Sequence, residues 1–182
     1  MKTFISILRG INVSGQKKIL MADLKALYGS LSFKNVITYI QSGNVVFRTD
    51  TKISNLELAK KIENAIFKKY NFEVPVIIRS LEALEKIVTQ NPFLKNKDFN
   101  TEKLHVTFLS ETPLPANVKN IKITDYSPDK FIVIESEVFL HCPESYGETK
   151  LSNNFFEKKL KVSATTRNWK TVNKLLEIAN NN

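Results

Sequence analysis

The chain has 182 residues, 42% hydrophobic and 25% charged, and its 27 lysines and arginines outnumber 18 carboxylates for a net charge of +9. That length suits one domain or two small ones, and the balance is too apolar for a disordered chain. One cysteine, Cys142, excludes an internal disulfide, and no CxxC or Cys/His cluster exists for structural zinc.

Residues 3–8 form an apolar run that reads as a buried strand. The run stops at Arg9, too short for a secretory core, and no stretch approaches the ~20 apolar residues of a membrane span, so a cytoplasmic location without membrane contact is expected. Leu20, Leu24, Leu27 and Leu31 recur at helical spacing and predict a first helix after the loop 10–19. Residues 36–41 and 44–48 read as two strands joined at Ser42-Gly43, a hairpin signal. Ser54 with Glu57 makes a capping box before a helix that carries Leu58, Ile62, Ala65 and Ile66 on one face. Residues 74–79 are a strand, and Ser80 can cap a short helix bearing Leu81, Leu84, Ile87 and Val88. Residues 91–103 are polar, lack periodicity and read as a linker.

The order then recurs. Residues 104–109 are a strand, and 112–123 are weakly defined, with a short helix after Pro115. Residues 130–135 and 138–142 form a hairpin, 151–160 a helix, 162–166 a short strand and 168–179 a last helix. A shift of 88 positions lays Phe67 on Phe155, Val74 on Val162, Arg79 on Arg167 and Ser80 on Asn168. It also lays Leu84 on Val172, Ile87 on Leu175 and Val88 on Leu176. The opening strands match at another offset, Phe4 to Leu8 on His105 to Leu109. The reading is an α+β chain of two duplicated βαββαβ halves, ferredoxin-like, with antiparallel sheets and helices on one face of each. The first half, with its added helix and linker, spans 1–100 and the second 101–182.

A charge of +9 favours anionic partners: nucleic acid, phosphorylated ligands or an acidic membrane surface. Compositional drift is the competing explanation, since 23 of the cations are lysines that can merely solvate the surface. Only five glycines occur, and Gly10, Gly15 and Gly43 mark backbone that needs unusual conformations. Gly10 and Gly15 have P-loop spacing, but Gln16 stands at the lysine position and Lys17 at the magnesium-binding hydroxyl. A looser anion cradle remains, made of backbone N–H groups with Arg9, Lys17 and Lys18. All four arginines, Arg9, Arg48, Arg79 and Arg167, are expected after apolar strands. There they either grip an anion bidentately or clamp a carboxylate or carbonyl. Asn168 is a good cap and Trp169 a good core anchor for the last helix. His105 and His141 lack a convergent third metal ligand. Cys142 follows His141 on the opposite face of its strand, so the two do not form a dyad. No G-x-S-x-G and no carboxylate pair stands out.

The segments LRGINVSGQKK, TYIQSGNVVF, KLHVTFL, FLHCPESYGETKLS and TTRNWKTVNKL resemble successive motifs of an uncharacterised bacterial family, the domain of unknown function 1697 (DUF1697). The resemblance covers nearly the whole chain. It implies two similar, intertwined halves distantly related to the ferredoxin-like fold, and no established activity, cofactor or catalytic residue. Ser14 stands where a second glycine is typical, and Thr149 where serine usually precedes Lys150.

The candidate ligand-binding set is Arg9, Asn12, Lys17, Lys18, Gln41, Ser42, Asn44, Lys150, Arg167 and Asn168. In a simple βαββαβ unit, the loop after the first strand and the hairpin are expected at opposite ends of the sheet. Arg9 and Gly43 would then share no pocket within one half. The expected function is binding of an anionic ligand, a nucleic acid or a phosphorylated small molecule. The alternatives are an enzyme acting on a small phosphorylated or nucleotide substrate between the halves, and a non-catalytic interaction scaffold. Neither a cofactor nor an oligomeric state follows from the residues.

Overall fold

In the computed structural model, residues 1–50, 52–96 and 98–182 are described, Ile123 and Thr124 by backbone alone. The chain divides into unit 1, Met1–Glu85 with Lys174–Asn182, and unit 2, Lys86–Asn173. Among the described residues there are two four-stranded antiparallel sheets and six α-helices, an α+β architecture. Among the described residues, no helix is long and apolar enough to cross a membrane.

Unit 1 runs β1 (Lys2–Leu8), α1 (Met21–Ser30), β2 (Lys34–Tyr39), β3 (Asn44–Thr49), α2 (Asn55–Tyr70) and β4 (Val76–Ser80). The helix α3 (Leu81–Thr89) follows directly and ends in unit 2. Sheet 1 has the order β2-β3-β1-β4. Side chains alternate along β1, so Phe4 and Leu8 join Val45, Phe47, Leu24, Tyr28, Leu58 and Ile62 in one core. Ile5 and Ile7 point to the other face and are also fully buried. Burial of both faces is why β1 reads as a continuous apolar run instead of an alternating one. Ser6 breaks that run on the helix-facing side, and its hydroxyl meets the buried Tyr28 hydroxyl at 2.7 Å. The Ser6 hydroxyl also reaches the Val45 carbonyl at 3.4 Å, so without the pair it is the Tyr28 hydroxyl that would be buried unsatisfied.

The helices start where their caps dictate. Ser54 accepts from the Glu57 N–H while Glu57 accepts from the Ser54 N–H, the expected capping box. Ser80 accepts from the Ala83 N–H at 3.2 Å and opens α3. One expectation for α1 fails: Leu20 is the residue before the helix and is 70% exposed, while Leu24, Leu27 and Tyr28 make the buried face.

Unit 2 runs β5 (Leu104–Leu109), α4 (Pro115–Lys119), β6 (Lys130–Ile134), β7 (Glu137–His141), α5 (Asn153–Leu160) and β8 (Ala164–Asn168). The last helix, α6 (Trp169–Asn180), begins in unit 2 and ends in unit 1. Sheet 2 has the order β6-β7-β5-β8, the same arrangement as sheet 1. Its helix-facing core holds Leu109, Phe131, Val138, Leu140, Cys142, Phe156 and Leu160. Thr107 occupies the place of Ser6, and its hydroxyl bonds Thr166 at 2.7 Å, which in turn donates to Asn153.

Three readings are corrected. Residues 91–103 are more than a linker: they hold two 3-10 turns, each opened by an asparagine cap, and Phe93 is buried. Lys97, in that segment, lies outside the described residues. Arg48, Arg79 and Arg167 sit within β3, β4 and β8, and Arg9 alone follows its strand. The first loop and the hairpin share one end of sheet 1. Because β1 and β3 are antiparallel, with Ile7 opposite Asn44, the exit of β1 lies beside the entry of β3.

Candidate functional site

The loop 9–19 is built from backbone that most side chains avoid. Gly10, Asn12, Ser14, Gly15 and Lys17 have φ of 71°, 56°, 49°, 75° and 44°. Glycine and asparagine tolerate this left-handed region, while serine and lysine occupy it at a cost. Ser14 therefore holds a conformation suited to the glycine that the resemblance leads one to expect there.

Asn12 fixes the loop. Its side-chain amide donates to the carbonyls of Ile19 and Gln41, each at 2.9 Å, and its oxygen accepts the Ile19 N–H at 2.9 Å. The Leu8 N–H donates to the Gly43 carbonyl at 2.8 Å, and the Arg9 N–H to the Pro75 carbonyl at 3.0 Å. The Lys17 ammonium donates to the Glu73 carbonyl at 2.7 Å. Loop, hairpin turn and the segment before β4 thus meet at one end of sheet 1. Gly43 makes the approach possible: a Cβ there would stand 2.6 Å from Ile11 Cδ1 and 2.9 Å from Leu8 Cβ.

The structure brings seven of the ten candidate residues to this end. Lys18 and Gln41 are exposed, and Arg9 and Lys17 are half-buried. Among the described residues, neither Lys17 nor Lys18 makes an ion pair. Asn12 and Asn44 have structural bonds; Asn44 is buried and donates to the Tyr39 carbonyl at 3.0 Å and to the Ser42 hydroxyl at 3.2 Å.

The other three candidates belong to unit 2. Lys150 lines a cavity of about 200 Å³ whose wall also carries Asp125, Asp129, Glu144 and Glu148. Four carboxylates beside one lysine oppose an anion there. The Thr149 hydroxyl donates to Asp129 and accepts the Leu151 N–H, so threonine supplies the hydroxyl that serine would. Arg167 is buried in β8 and donates to the Thr166 carbonyl at 2.9 Å and the Thr165 hydroxyl at 3.2 Å. Burial pushes its guanidinium down to about 10, still protonated at neutral pH. Asn168 caps α6 as expected, accepting the Thr171 N–H at 2.8 Å.

His105 stacks on the Tyr146 ring at 4.8 Å, and His141 meets Phe99 at 4.6 Å. Cys142 lies in the helix-side core, against which Tyr146 also packs. Among the described residues, no three His, Cys, Asp or Glu side chains converge as metal ligands. The acidic cavity was invisible in sequence because its walls come from 125–129 and 144–150, each unremarkable alone.

No curated protein matches the chain. It is similar to a solved structure described as conserved bacterial protein SP0830 from Streptococcus pneumoniae, with a TM-score of 0.74 and 25% identity over 98% of each chain. The model of the family described as protein of unknown function (DUF1697) matches residues 1–139, from β1 into β7. On that match the chain belongs to the DUF1697 family.

Proposed function

We propose that the chain binds an anionic ligand, a nucleic acid or a phosphorylated small molecule, at the end of sheet 1 where loop 9–19 meets turn 40–43. The observation that carries this reading is the Asn12 bridge to Gln41, which holds a loop bearing Arg9, Lys17 and Lys18 in one shape. A cationic loop ordered before binding loses little entropy when an anion arrives. Left-handed backbone at Gly10, Ser14 and Gly15 supports a cradle of N–H groups beside those cations. Asn12, Ser42 and Asn44 support the site by shaping it, which leaves Arg9, Lys17, Lys18 and Gln41 as ligand contacts. We read the two sheets as copies of one ferredoxin-like βαββαβ half, a view their identical strand order supports. The free thiol of Cys142 fits a reducing compartment such as the cytoplasm.

The test is fluorescence anisotropy with labelled single- and double-stranded oligonucleotides, alongside an NMR titration with pyrophosphate. Nucleic-acid binding should weaken steeply with salt, and Arg9→Gln and Lys18→Gln should each lower the log–log slope by about 1. Pyrophosphate binding without oligonucleotide binding would assign the small-molecule branch. Absence of both at low salt would reject the proposal.

A further inference from the structure

The end of sheet 1 that carries the cations also exposes hydrocarbon. Val13 is 58%, Leu20 70% and Ile40 46% exposed, and Leu20 is the most exposed large apolar residue among those described. Each is the chain neighbour of a residue in one hydrogen-bond network: Val13 of Asn12, Leu20 of Ile19 and Ile40 of Gln41. The network that orders the cationic loop therefore also gathers three aliphatic side chains at the end bearing Arg9, Lys17 and Lys18.

Two of the three stand where the fold alone would favour a polar residue. Ile40 has φ 51°, and of the nine non-glycine residues with positive φ among those described it alone is β-branched. A branched Cβ makes this left-handed backbone costly, while asparagine tolerates it. The turn itself does not demand an apolar residue. In sheet 2, Glu135 is the first residue after β6, as Ile40 is the first after β2, and it has φ 52°. Leu20 is the N-cap of α1 and makes no side-chain bond to the helix, where serine, aspartate or asparagine would. Exposed hydrocarbon kept at a cost in backbone strain and capping points to a binding role.

We propose that the anion taken at this end of sheet 1 carries hydrocarbon next to its charge. It is an alkyl phosphate group whose phosphate meets Arg9, Lys17 and Lys18 and whose chain lies on Val13, Leu20 and Ile40. The proposal rests on the anion site argued above and narrows its ligand to an amphipathic phosphate. None of the three apolar side chains is an aromatic ring on which bases would stack, so they favour an aliphatic group over a nucleic acid. A dissolved phosphate ester and a phospholipid headgroup offer the same chemistry.

Methyl phosphate and hexyl phosphate carry the same charge and differ only in hydrocarbon. Titrating each into the isotope-labelled full chain, followed by backbone amide shifts, separates the two parts of the site. Hexyl phosphate should bind at least about tenfold tighter, the effect of burying about two methylene groups. Ile40→Asn and Leu20→Asn should each lower that preference at least about threefold, and leave methyl phosphate within about twofold. Each should also raise the melting temperature by about 2–4 °C. Lys18→Gln should weaken both esters alike, and Leu56→Gln, an exposed apolar position in α2, should change neither affinity. Leu20→Asn and Val13→Ser decide the matter if Ile40→Asn does not fold. Pelleting with phosphatidylglycerol but not phosphatidylcholine vesicles would assign the group to a lipid headgroup, and hexyl phosphate binding without pelleting to a dissolved ester. Equal affinity for the two esters, or a preference that Ile40→Asn and Leu20→Asn leave intact, would overturn the proposal. If pyrophosphate or an oligonucleotide binds and neither ester does, the proposal falls alone; if nothing binds at low salt, the anion site falls with it.

Discussion

The Asn12 side chain donates to the main-chain carbonyl of Gln41 across 29 positions of sequence, at 2.9 Å. This bond joins the loop after β1 to the β2–β3 turn. It is possible because an antiparallel β1–β3 pair puts both at one end of the sheet.

Asn12→Ala should remove three hydrogen bonds and lower stability by about 2–3 kcal/mol in urea unfolding. Asn12→Asp keeps the acceptor for the Ile19 N–H but loses both donors, so it separates the two roles. In the alanine variant the Ile19 amide should exchange rapidly with deuterium, while the aspartate variant retains part of its protection. Equal protection in both variants would contradict the assigned bonds.

Gly43 and Gly15 both have strongly positive φ, 81° and 75°, yet their surroundings differ. Nothing lies within 4 Å of a Cβ on Gly15, so Gly15→Ala should cost about 1–2 kcal/mol from backbone strain alone. Gly43→Ala adds overlap with Ile11 and Leu8 in the packed end of the sheet and should cost about 3–4 kcal/mol. A calorimetric melt of the two variants checks the order, and equal losses would show that both Ile11 and Leu8 give way.

Much of this fold was legible in the residues. The α+β class and the two antiparallel sheets were readable from the apolar runs, and Arg79 lies opposite Ile5 as Arg167 lies opposite Val106. Caps at Ser54, Ser80 and Asn168 were readable because capping is local chemistry. The meeting of loop and hairpin is not legible in the residues, since it depends on strand direction, which a pattern of apolar residues does not carry. Leu20 precedes the helix, and spacing alone cannot tell a helix face from the residue before its start. At the candidate site the cations were visible in sequence, but Asn12 as their organiser was not. Its partners, the carbonyls of Ile19 and Gln41, are main-chain groups with no residue signature.

Ser80 and Asn168 cap α3 and α6 at matched positions, and each leads straight out of a strand. Ser80→Ala and Asn168→Ala should each cost about 1 kcal/mol. The Asn168 variant is expected to lose slightly more, because its bond is 2.8 Å against 3.2 Å. Asn168→Asp should keep nearly full stability, since a carboxylate both accepts the Thr171 N–H and suits a helix N-terminus. Loss of stability in the aspartate variant would mean that Asn168 is held by something other than capping.

His105 and His141 both have pKa values below the ordinary histidine range. Burial is the main cause for each; against His105 the Lys103 charge adds to it, and against His141 the Lys130 charge. Between the lowered folded value and about 6.5, the unfolded chain binds more protons than the folded one. Their contribution is therefore present above pH of about 6.5 and lost as pH falls through the folded values. Urea midpoints should fall on acidification from pH 7 toward 5, and His105→Phe, which preserves a ring against Tyr146, should flatten part of that slope. An unchanged slope would place the acid sensitivity elsewhere.

Cys142 sits fully buried in the unit 2 core, and burial, with the nearby Asp129 charge, pushes its thiol up to about 11. At pH 8 about one thiol in a thousand would be ionised even if reagent reached it. Modification by iodoacetamide should therefore be negligible in the native protein and should rise with urea in step with the loss of circular dichroism. Reaction well below the unfolding midpoint would locate a local opening of the segment between β7 and α5. That segment carries Thr149 and Lys150 and walls the acidic cavity, so early labelling would identify it as the first part of unit 2 to loosen.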